Sequence, residues 1–202
     1  MIQWRNLIRQ FKNVTLAGKL NDALWTNLQC DWTITWFNSI AYIPFSTVTG
    51  VLLTPKHFFF YNIGDSRSFI VRGTDEIVFS TADHKPSNDE ERRRIEAAGG
   101  FLKAGRVNGM LAVSRALGDF ELKSSFNMQQ IEQKVSAEAD VTCIDRDTQD
   151  NFILICCDGV FDVQRNDELL DYITARLPTK YELKDLMEEL IDYCCFKVNR
   201  SF

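Results

Sequence analysis

Residues 153–163 read Ile-Leu-Ile-Cys-Cys-Asp-Gly-Val-Phe-Asp-Val. The first five are apolar at odd and even positions alike, so a strand made from them is buried on both faces. Such a strand must lie between two layers. Where it should end stand Asp158 and Gly159, and Asp162 follows four positions after Asp158. If the chain turns helically beyond Cys157, the two acids share one face within reach of a common cation. Gly159 lets the backbone turn tightly there. A second strand end repeats the device: in Asn62-Ile63-Gly64-Asp65-Ser66-Arg67 the acid Asp65 follows an apolar run and a glycine. Mg²⁺ and Mn²⁺ prefer such carboxylate oxygens together with water. Without a cation, bunched carboxylates repel and raise one another's pKa values. A second reading stays open from the residues alone. Asp-Gly after a strand is a common turn, and Asp65-Ser66-Arg67 suits a local ion pair.

The chain has 202 residues, 45% of them hydrophobic, enough for one sizeable core and short for two full domains. Its net charge of −5 argues against nucleic acid or an acidic membrane surface as partner. The six cysteines are Cys30, Cys143 and the neighbouring pairs Cys156-Cys157 and Cys194-Cys195, with no Cys-x-x-Cys spacing for zinc. Adjacent cysteines point to different faces, so reduced, buried thiols are expected. No charged-then-apolar leader opens the sequence. Together these features give the expectation of a cytoplasmic or nuclear protein. Residues 32–55 carry no charge and reach the length of a membrane span. Asn38, Ser39, Pro44 and a run of Ser and Thr lower their hydropathy, and the stretch ends like an ordinary strand, so a core segment is expected instead.

The chain changes character near residue 45. All four tryptophans lie before it, and the first glutamate is Glu76. Residues 1–44 form a divergent segment with loose helical periodicity and no clear assignment. From Ser46 onward, 47–53 and 57–63 predict a hairpin around Thr54-Pro55-Lys56. Two more strands flank Gly73-Thr74-Asp75. Residues 85–100 predict a helix with a Ser87/Glu90 capping box that stops at Gly99-Gly100. The adjoining run Glu90-Glu91-Arg92-Arg93-Arg94 reads as a solvated helix face. Asn108-Gly109 predicts a second hairpin. Residues 140–145 and 151–157 predict strands, and two helices follow. One is capped by Asn166. The other is capped by Thr179 with Glu182 and buries Leu183, Leu186, Met187, Leu190, Ile191 and Cys194. Hairpins separated by a few helices, without regular βαβ alternation, make an antiparallel α+β fold. His57 reads as structural at the start of a strand, and His84 as a turn or surface histidine.

The segments Asn-Ile-Gly-Asp-Ser-Arg (62–67), Asp83–Gly100, Gly105–Lys123, Val135–Val141 and Ile153–Val163 resemble, in order and spacing, those of the metal-dependent protein Ser/Thr phosphatases, the PPM or type 2C family. Any one is a weak signal; five in register are specific. The resemblance implies a PPM-phosphatase-like sandwich of two antiparallel β-sheets flanked by helices, incomplete here, over residues 45–202. It implies an Mn²⁺ or Mg²⁺ centre at one edge and in-line attack of water on phosphoserine or phosphothreonine in proteins. By resemblance Asp158 is a metal ligand beside Gly159, and Asp65 and Asp162 join it around a weaker metal. Thr47 matches a threonine near that metal, although the glycine two positions before it in the family is Phe45 here.

The sequence also departs from the family. Residues 1–44 contain neither its Glu-Asp pair nor its Asp-Gly-His-Gly-Gly motif, and Ser201 stands where a further metal-binding Asp is expected. The resemblance therefore implies a protein Ser/Thr phosphatase whose catalytic metal centre is only partly present in this chain, with no catalytic residue assigned. The alternative is a non-catalytic phosphatase-like binding module or a truncated isoform.

Overall fold

The computed structural model of the chain describes residues 15–17, 45–177 and 182–200. Two antiparallel sheets make the frame. Strands β1 (Thr15–Ala17), β5 (Arg67–Arg72), β6 (Glu76–Ser80) and β11 (Asp150–Cys156) form one sheet in the order β1-β11-β5-β6. Strands β3 (Val48–Leu53), β4 (His57–Ile63) and β10 (Asp140–Asp145) form the other, ordered β10-β4-β3. The hairpin β3–β4 turns at the expected place, where the Thr54 N–H donates to His57 O at 2.9 Å. Strand β4 alternates cleanly, with Phe58, Phe60 and Asn62 inward. Phe58 and Phe60 meet Ile70 and Ile153 between the sheets, flanked by Val51, Leu53, Val78, Phe79, Ile144 and Ile155.

Strand β11 has the two buried faces its composition predicts. Ile153 looks into the space between the sheets, while Phe152, Leu154 and Cys156 pack under helices on the other side. Those helices are α2 (Asp158–Phe161), α3 (Asn166–Thr174) and α4 (Leu183–Arg200), with α1 (Asp89–Ala97) lying earlier in the chain. On α4, Leu186, Met187, Leu190 and Cys194 are buried, whereas Leu183 and Ile191 are only half-buried. The expected Thr179 cap lies outside the described residues, as does most of segment 1–44. No described helix is long and apolar enough to cross a membrane. The end of the uncharged stretch 32–55 lies in β2 (Phe45–Ser46) and β3.

Between β6 and β10 the chain makes an excursion with its own small core of Ile95, Val107, Leu111, Val113, Ala116, Leu122 and Val135. It contains the short strands β7 (Leu102–Lys103), β8 (Arg106–Val107) and β9 (Leu117–Gly118), the last paired with β2. Here several local expectations are corrected. The N-cap of α1 is Asn88, without a side-chain cap bond, because the chain first turns through Lys85–Asn88 and leaves Ser87 outside the helix. The helix does stop at the glycines. Gly100 N–H reaches Ile95 O and Gly99 N–H reaches Glu96 O, with Gly99 at φ +76°. The two-strand hairpin β7–β8 turns at Ala104-Gly105, not Asn108-Gly109. Asn108 and Gly109 form a tighter loop closed by the Val107–Leu111 bridge, and the Asn108 side chain accepts the Phe101 N–H. Asn166 is the first residue of α3, not its cap; its side chain accepts from Arg67 and donates to Ser80. The face of α1 is not wholly solvated either, since Glu91 is buried.

Candidate functional site

Asp65 and Asp158 stand where the sequence places them, at the ends of β4 and β11. Beyond Cys157 the chain turns helically, and the Asp162 N–H donates to Asp158 O at 2.8 Å. Asp158, Gly159 and Asp162 therefore belong to one helical turn, as the spacing suggests. Burial pushes the Asp158 carboxyl above its ordinary pKa, and the negative charges of Asp65 and Asp162 push it further. The charge of Asp65 thus reaches Asp158, although the two come from distant strands.

Asp65 is nearly buried, and its partner is not the neighbouring Arg67 that a local ion pair would require. Lys85 Nζ lies 2.6 Å from Asp65 Oδ2. Burial lowers the Lys85 pKa, but its bond to Asp65 and the charges of Asp65, Asp83 and Asp162 more than reverse this and raise it. Arg67 instead forks onto Asp83, with Nε and Nη2 at 2.8 and 2.9 Å from the two carboxylate oxygens.

The turn before Asp65 is fixed from both sides. Gly64 has φ +102°, and a β-carbon there would overlap the Thr47 methyl. Thr47 Oγ1 is 2.8 Å from Ser66 Oγ, so it braces the loop that carries Asp65. Phe45, in the place of the family's glycine, lies in β2 opposite Gly118 and is partly exposed. His84 is a correction: it is buried, not a surface histidine. Its Nδ1 accepts the Gly64 N–H at 3.0 Å, so the neutral ring carries its proton on Nε2 and donates to Asp140 Oδ2 at 3.0 Å. Asp140 also accepts from Arg115 Nη1 at 2.8 Å. Burial would raise the Asp140 carboxyl, but His84 and Arg115 bring it below the ordinary value. Arg115 places Nε and Nη2 on Glu91 Oε1, and Arg94 Nη2 stands 2.8 Å from Glu91 Oε2. His57, at the start of β4, lies 3.4 Å from the exposed Asp145. The residues that sequence reasoning missed are Lys85, Arg67, His84 and Arg115. The one available signal was their place inside family-like segments.

The protein phosphatase 2C family model matches residues 44–200, most of the chain. The chain belongs to this family. Within the phosphatase 2C family it is 46% identical over 157 residues to human protein phosphatase 1A, covering 77% of this chain and 41% of that protein. It is 44% identical over 156 residues to human protein phosphatase 1B, covering 77% and 32%. The chain therefore spans less than half the length of these curated relatives. A solved phosphatase from a pathogenic strain of Toxoplasma gondii superposes with TM-score 0.66 at 26% identity, over 77% of this chain and 59% of that one. The α+β architecture expected from the sequence is thus that of a phosphatase 2C domain.

The donor chemistry at the strand ends suits a hard cation. Asp158 lies within reach of the charges of Asp65 and Asp162, and a lysine ammonium sits on Asp65. They do not close into a full cage by themselves: among the described residues no group of three His, Cys, Asp or Glu is gathered closely enough to hold a metal ion. A cation here would keep much of its water, as Mg²⁺ commonly does.

Proposed function

We propose that Asp65, Asp158 and Asp162 line a loose, water-rich Mn²⁺ or Mg²⁺ site at the edge of the sandwich, which they do not close by themselves. We further propose that the domain serves a metal-dependent phosphatase acting on phosphoserine or phosphothreonine in proteins. The observation that carries this reading is the family match over residues 44–200, which spans the two strand ends that bear Asp65, Asp158 and Asp162. A bound divalent ion would lower the pKa of a coordinated water and offset charge on the phosphoryl oxygens. The chain's own residues set the stage. Lys85 neutralises Asp65, while Thr47 and His84 fix the loop that carries it. The α2 turn holds Asp158 and Asp162 at a fixed spacing. Cys156 and Cys194, buried and unbridged, support a cytoplasmic or nuclear location.

The test is a chimera in which residues 45–200 replace the matching part of human protein phosphatase 1A. With Mn²⁺ the chimera is expected to hydrolyse a phosphothreonine peptide, and Asp158→Asn should lower the rate by at least about 100-fold. On its own the chain is expected to be no faster than buffer, because it holds no Asp-Gly-His and no glutamate before Glu76. A chimera that folds, binds Mn²⁺ and yet shows no turnover would overturn the enzymatic reading.

A further inference from the structure

Arg67 makes more polar contacts with distant segments than any role as Asp65's neighbour would need. Its Nε and Nη2 fork onto Asp83, two residues before Lys85. Its Nη1 donates to Asn166 Oδ1 at 2.6 Å, at the start of α3. The guanidinium carbon lies over the Phe161 ring, with Cζ 4.5 Å from its centroid. Phe161 sits between Asp158 and Asp162 in α2, and Asn166 hands the connection on to Ser80 in β6. One side chain, rooted two residues after Asp65, thus ties together the segments bearing Lys85, Asp158 and Asp162.

We propose that Arg67 is a positioning residue that clamps the α2 turn, with Asp158 and Asp162, against Asp65. The proposal rests on the cation-site reading given above. Its physical need is plain. A helix of four residues cannot hold itself in water, and charge repulsion between the acids pushes its ends away from Asp65. The planar fork supplies two parallel bonds to Asp83, one to Asn166 and a stacking face for Phe161. A lysine has the charge but neither the fork nor the flat face.

Three variants separate this role from general stability: Arg67→Met, Arg67→Lys and Arg72→Met. Arg72 lies at the other end of β5, pairs with Asp150 at 2.9 Å and touches none of the α2 segments. Two quantities are read: amide hydrogen exchange of Asp162 and Gln164, whose N–H groups donate to the α2 carbonyls of Asp158 and Val160, and Mn²⁺ binding by water-proton relaxation. Arg67→Met and Arg67→Lys are both expected to lose Asp162 and Gln164 protection while Ile70 and Leu154 stay protected. Their Mn²⁺ affinity should fall about 10- to 100-fold, the usual effect of removing a ligand-orienting partner. Arg72→Met should change neither. Wild-type protection of α2 in Arg67→Lys would overturn the clamp, even if Arg67→Met failed to fold. So would equal loss of protection in Arg72→Met. Exchange needs no metal, so wild-type chain that binds no Mn²⁺ would sink the cation site while α2 protection still decided the clamp.

Discussion

Replacing Glu91 with alanine is expected to cost the fold about 3–5 kcal/mol, because it strands two arginines in a buried site. Glu91 is only 3% exposed and receives Arg115 on one oxygen and Arg94 beside the other. Arg115 in turn holds Asp140 and the Glu138 carbonyl. Removing the carboxylate therefore unlatches α1 from the Arg115 loop and from the start of β10. Burial alone would raise the Glu91 carboxyl, but the bonds from Arg115 and the adjacent Arg94 guanidinium overcome it and bring it from 4.5 to about 2. Its folded pKa lies below its unfolded one, so its contribution is complete above 4.5 and disappears as pH falls towards 2. That contribution is on the order of 3 kcal/mol. Denaturant unfolding at several pH values checks this. Wild type should lose stability across that acid window, and Glu91→Gln should start lower and change less. Equal pH dependence in the two proteins would show that Glu91 does not carry the effect.

Gly64→Ala is expected to damage stability and cation binding together. Its φ of +102° strains any L-residue by about 1–3 kcal/mol. The new methyl would also displace Thr47, whose hydroxyl braces Ser66 beside Asp65. The same backbone group donates to His84 Nδ1, so the shift would reach the contact with Asp140. Thermal unfolding and Mn²⁺ titration on one preparation read both consequences. Gly73→Ala is the control. Gly73 is at φ +63° in open space, so it carries backbone strain without the collision. A Gly64→Ala protein no less stable than Gly73→Ala, with unchanged Mn²⁺ affinity, would contradict the packing account.

The parts of this fold legible in the sequence are those decided by short-range pattern. Strand β4 alternates Phe58, Phe60 and Asn62 inward, and β11 is apolar on both faces, so each could be read from a few neighbours. The acids at their ends were legible for the same reason: a charge that closes an apolar run stands out. What escaped is chemistry between residues far apart in sequence. Nothing in the sequence around Lys85 points to Asp65 until the fold lays it there, and Arg67 reads as Asp65's own partner until Asp83 and Asn166 arrive. His84 precedes a Lys-Pro turn, a surface signal, yet its ring is buried by the Gly64 loop and Asp140. The caps failed for a related reason. Ser87 and Asn166 have suitable side chains, but a preceding turn excludes one from the helix and Arg67 occupies the other.

The central claim is that Asp65, Asp158 and Asp162 line one weak, water-rich divalent-cation site. Mn²⁺ titration followed by water-proton relaxation tests it most directly, comparing wild type with Asp65→Asn, Asp158→Asn and Asp162→Asn. With few protein ligands and several retained waters, wild type should bind on the order of 10⁻⁴–10⁻³ M. Each substitution should weaken binding, and Asp158→Asn should abolish it. Binding that ignores Asp65→Asn would show that the two strand ends do not serve one ion, and the site would have to be abandoned.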